Sequence, residues 1–103
     1  MVVVLKTCQR EIAELPDEIR GHLADALARL DAGHSLSMPL SRPMPTVGKG
    51  VHELRLRNRS GEYRVIYAIG KGGEVHVIHA FKKQTQATPQ GNVDLVRKRI
   101  KGD

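Results

Sequence analysis

The chain opens on a short apolar run, Val2 to Leu5, closed by Lys6, which predicts a brief first β-strand. Cys8, Ile12 and Leu15 then recur at the spacing of one helical face, and Pro16 ends that helix. The same proline can open a second helix, with Asp17 and Glu18 in the first turn complementing the helix dipole. Ile19, Leu23, Leu27 and Leu30 give the second helix an apolar stripe, and Gly33 is a natural stop. Together they predict an antiparallel helical hairpin, which needs a sheet to cover its stripe.

Residues 34–50 hold Pro39, Pro43, Pro45, Gly48 and Gly50, and read as a loop or clamp over the fold. Three alternating segments follow. In 51–57 Leu54 and Leu56 alternate with Glu53, Arg55 and Arg57. In 62–69 Tyr63, Val65, Tyr67 and Ile69 alternate with Arg64, Ile66 and Ala68. In 74–82 Val75, Val77, His79 and Phe81 alternate with His76, Ile78, Ala80 and Lys82. Period-two patterning between short polar turns predicts an antiparallel meander. A last helix is predicted after Thr88 as cap and Pro89 as first residue, with Val93, Val96 and Ile100 inward. The expectation is an α+β domain spanning 1–103, ordered β-α-α-β-β-β-α, with one sheet face covered by helices and the other partly open.

Composition changes this picture little, but charge placement changes it more. Three aromatic residues (Tyr63, Tyr67, Phe81) and no Trp leave the core to aliphatic side chains. The lone Cys8 cannot form an internal disulfide, which fits a reducing compartment, and no segment reads as a signal peptide or membrane span; the expected location is the cytoplasm. The net charge of +6 is split: residues 1–33 have four basic and six acidic side chains, whereas residues 34–103 have thirteen and five. A basic C-terminal two-thirds suits a polyanion such as RNA.

The arginines sharpen that expectation. Arg55, Arg57 and Arg64 fall opposite the apolar positions of their strands, and Lys82 takes the equivalent face of the third, so the four should converge on the open face. Guanidinium groups donate in a fork that matches phosphate. Metal-free RNA cleavage also needs proton transfer, for which arginine is unsuited. His79, Lys82 and Lys83 are the candidates. By strict alternation His79 is a buried, hydrogen-bonded core residue, and only a bulge would turn it outward; His76 is better placed but further from the arginines. No Cys/His spacing suggests a metal, and the turn at 70–73 lacks the P-loop pattern.

The stretches HELRLR, GEYRVIYAI and VIHAFKKQTQATP resemble the RelE/ParE superfamily of bacterial toxins, and within it the phage-derived HigB-like group. The resemblance spans nearly the whole length. It implies a RelE-like fold and the toxin of a type II toxin–antitoxin system: a ribosome-dependent endoribonuclease that cuts translated mRNA without metal or cofactor. It matches Arg55 and Arg64 to phosphate-facing positions, and Lys82 and Lys83 to the basic pair ending the last strand. Arg57, Arg59, Arg97, Lys98 and Arg99 are read as further RNA contacts. The implied partners are the ribosome, mRNA and a helix-turn-helix antitoxin, with operator DNA bound only through the antitoxin complex. Two departures stand out: Glu53 replaces a frequent lysine, and no tyrosine follows Lys83. The same fold also serves ParE-like gyrase inhibitors, and a catalytically inactive antitoxin-binding homologue is a third reading.

Overall fold

The computed structural model describes residues 1–84 and 89–102. Its elements are β1 (Val2–Val4), α1 (Lys6–Ala13), α2 (Asp17–Asp31), β2 (Ser41–Pro43), β3 (Val51–Asn58), β4 (Gly61–Ile69), β5 (Val75–Lys83) and α3 (Gln90–Ile100). The α+β order is the expected one with a short strand, β2, added inside the 34–50 segment. Pro16 and Pro89 each cap the helix that follows them. The expected cap at Thr88 lies outside the described residues.

The strands form one sheet in the order β1-β5-β4-β3-β2. The meander β3-β4-β5 is antiparallel, as its alternation required, while β1 joins β5 in parallel and makes the sheet mixed. Gly50, at φ +73, lets the chain enter β3 against the end of β4; a Cβ there would lie 2.8 Å from the Ile69 carbonyl oxygen.

Both faces of the sheet carry a core. On one, Cys8 of α1 and Ile19, Leu23, Ala26 and Leu30 of α2 pack on Leu54, Leu56, Tyr63, Val65, Tyr67, Val75 and Val77. Each such Leu, Ile or Val contributes about 1.5–3 kcal/mol relative to exposure. On the other, Val96 of α3 and Met44 cover Val51, Ile66 and Ile78. That second face is therefore partly closed by α3 and the clamp, and is open toward Arg55, Arg57 and Glu62. Ile100, expected inward, is 46% exposed, the last residue of α3.

One irregularity decides where side chains point. Ile66 pairs with His79, but the next residue, Tyr67, pairs with Val77, so Ile78 is an extra residue in β5. Before this bulge Val75 and Val77 face the helical hairpin. After it Ala80 and Lys82 do, opposite Val65 and Tyr63, while His79 and Phe81 join the α3 face opposite Ile66 and Arg64. The uninterrupted alternation expected across β5 is thereby corrected.

Candidate nucleic-acid site

The β3–β4 register assembles the site. Arg55 pairs with Arg64, Arg57 with Glu62 and Glu53 with Ile66, all on the face away from the hairpin. A cavity of about 270 Å³ lies between Arg55, Arg57, Glu62 and Arg64, with Pro39, Leu40 and Leu56 as its apolar part. Arg64 is its fixed wall, only 2% exposed. Its Nε lies 3.6 Å from Glu53 Oε1 and its Nη2 3.7 Å from Glu62 Oε1, and Nη1 donates to the Tyr63 carbonyl at 3.2 Å. Nη2 is buried with no hydrogen-bond partner among the described residues. Burial lowers the Arg64 pKa, Glu53 opposes the shift and neighbouring Arg55 adds to it; arginine keeps its charge throughout. A guanidinium held this way adds fixed positive charge beside the more accessible Arg55 and Arg57, which are the ones open to a phosphate in this cavity.

The remaining expected residues go elsewhere. His79 turns onto the α3 face through the bulge but is only 5% exposed. Its Nδ1 meets Glu11 Oε1 at 2.9 Å, its Nε2 meets Asn92 Oδ1 at 2.6 Å, and its ring stacks on Phe81. Arg99, expected on the exposed face of α3, grips Glu11 with both terminal nitrogens at 2.8 and 2.9 Å and donates to the Ile78 carbonyl at 2.9 Å. Glu11 also accepts the Ala80 N–H at 3.2 Å. Together Glu11 and Arg99 occupy the backbone groups of β5 just past the end of β1, an edge that would otherwise be bare. Burial pushes the Glu11 pKa up, but hydrogen bonds from Arg99, His79 and the Ala80 N–H outweigh it and hold the carboxyl at about 2.

Lys82 lies over the hairpin face, its Nζ 6.0 Å from the centre of the Tyr63 ring, and does not join the arginines. Lys83 does share their face, opposite Glu62. Arg59 is exposed in the β3–β4 turn; Arg97 and Lys98 are exposed on α3, Arg97 donating to the Thr46 carbonyl at 2.8 Å. Three residues that matter here, Glu62, Glu11 and Asn92, were absent from the sequence reading. Glu62 was legible, since it sits two residues before Arg64 on the same strand face; Glu53 appeared there as a polar strand position and as a departure, with no role. Glu11 and Asn92 had no local signal, because their partners are distant in sequence. Among the described residues no helix is long and apolar enough to cross a membrane.

The model of the phage-derived, Gp49-like protein family matches residues 10–101. The chain belongs to this Gp49-like family. No curated protein matches the sequence. Solved structures share the fold of this Gp49-like chain, two of them as follows. The isolated Escherichia coli RelE toxin is 21% identical at a TM-score of 0.59, covering 97% of each chain. A double arginine-to-alanine mutant of E. coli RelE in the free state is 19% identical at 0.57, covering 97% of this chain and 96% of the other. The fold is the RelE-like one that the resemblance implied.

Proposed function

We propose that residues 1–103 form one toxin domain of a HigB-like type II toxin–antitoxin pair, acting in the cytoplasm as a ribosome-dependent endoribonuclease on translated mRNA. The observation that carries this reading is the convergence of Arg55, Arg57 and Arg64 on one cavity of the sheet. Three guanidiniums around a space of that size suit a phosphodiester and the charge that builds on it during cleavage. The fold shared with a protein described as a toxin supports it from another side. In this reading Arg55 and Arg64 hold the scissile phosphate, and Arg57 and Lys83 flank the strand. Arg59, Arg97 and Lys98 are exposed cations that can meet ribosomal or messenger RNA. His79 and Arg99 hold the fold together, and Lys82 lies off the site. A helix-turn-helix antitoxin is the partner, and operator DNA is reached through that complex.

The test is pulse expression in bacteria with mapping of new mRNA 5′ ends, with and without a block of initiation. In-frame cuts that vanish under the block are the expected result. Growth arrest without cuts would point to gyrase, and no arrest to an inactive homologue.

A further inference from the structure

If the cavity holds RNA, which is the reading just proposed and on which the following rests, something must take the proton of the attacking 2′-hydroxyl. The arginines cannot, since they keep their own protons. Pro39, Leu40 and Leu56 have no suitable side-chain group. Glu62 is the remaining side chain of the lining. Of the candidates considered from the sequence, His79 has both ring nitrogens engaged by Glu11 and Asn92, Lys82 lies over the Tyr63 ring, and Lys83 does not line the cavity.

Glu62 is also placed to act. Its side chain is 49% exposed, unlike that of Arg64 at 3%. Its contact with Arg64 is 3.7 Å, longer than a direct hydrogen bond, so the carboxylate can turn to a substrate without breaking a buried pair. Cations surround it from three strands: Arg64 two residues along β4, Arg57 opposite on β3 and Lys83 opposite on β5. A phosphate seated among the arginines takes up part of that charge and brings its ribose beside Glu62.

We propose that Glu62 is a catalytic residue, the general base of RNA cleavage. Its carboxylate takes the 2′-hydroxyl proton as the 2′-oxygen forms a bond to phosphorus. The P–O5′ bond breaks, and the electron pair leaves on O5′, which takes a proton from water. The hydroxide so formed recovers the proton held by Glu62. The products are a 2′,3′-cyclic phosphate and a 5′-hydroxyl, with no change of oxidation state.

The experiment is single-turnover cleavage of a defined mRNA on programmed ribosomes by the full chain. Glu62→Gln should cut about 100-fold or more slowly, the range lost with a general base, while ribosome binding is kept. Glu62→Ala should recover rate in proportion to added formate, which can enter the vacated space; wild type and Arg55→Ala should not respond. A merely structural Glu62 gives no formate response. Glu62→Gln cutting at the wild-type rate, Glu62→Ala indifferent to formate, or loss confined to ribosome binding would each overturn the assignment. A wild-type chain that cuts nothing on programmed ribosomes would overturn the nuclease reading and this assignment with it.

Discussion

Arg64 and Arg99 are the same side chain in similarly closed surroundings, used to opposite ends. Arg99 places donors on both Glu11 oxygens and on the Ile78 carbonyl. Arg64 meets its carboxylates only at 3.6 and 3.7 Å and, among the described residues, leaves Nη2 without an acceptor. The first is a strut, and the second is proposed as a grip. Arg99→Ala should therefore destabilise the fold by about 3 kcal/mol, the low end for breaking a buried pair, as read by urea unfolding. Arg64→Lys keeps the charge but loses the fork; it should fold and show a greatly reduced cleavage rate on programmed ribosomes. Glu11 adds a pH dependence. Its pKa falls from 4.5 to about 2 on folding, so its stabilisation is complete above the first value and is lost as pH drops through the second. Acid titration of the wild type should show a loss of roughly 3 kcal/mol that Glu11→Gln does not show.

At the scale of elements, the bulge in β5 separates what the sequence displays from what it hides. The hairpin stripe of α2, the meander and the placement of Arg55 opposite the leucines all follow from periods of 3.6 and 2, which local sequence carries directly. The extra residue at Ile78 carries no such mark, because Val75, Val77, His79 and Phe81 alternate as cleanly as a regular strand would. Reading through it assigns Lys82 to the arginine face, whereas the register puts it over Tyr63. Ser41–Pro43 was hidden for a different reason: a proline-rich segment argues against a strand, yet an edge strand tolerates proline. The Glu11–Arg99 pair joins residues 88 apart, beyond any window of local pattern. The register predicts a functional contrast as well. Lys82→Ala should leave cleavage near the wild-type rate while Arg55→Ala lowers it, in the same programmed-ribosome assay.

For the whole molecule, the charge split read from the sequence acquires a shape. The near-neutral first third supplies the hairpin on one side of the sheet, and the basic remainder supplies β3, β4, β5 and α3, which frame the other. Binding to single-stranded RNA should weaken steeply with salt, with a slope in the log–log plot of about −0.7 for each phosphate neutralised. Arg55→Ala should flatten that slope by about one such step, as measured by fluorescence anisotropy over a salt series.

The pairing of β1 with β5 bears on the order in which the molecule is made. Translation runs from β1 to α3, but among the described residues β1 has no neighbour in the sheet except β5, and the edge of β5 past β1 is not closed until Arg99 arrives. A growing chain thus carries Val2–Val4 unpaired until β5 is made, and the bare edge of β5 until α3 follows. The proposed grip on phosphate follows the same timetable: Arg55 and Arg64 are made before β5, and Phe81, which pairs with Arg64 in the sheet, comes only with it. Until those late segments emerge, a nascent copy has the residues of the site without the sheet that holds them in place.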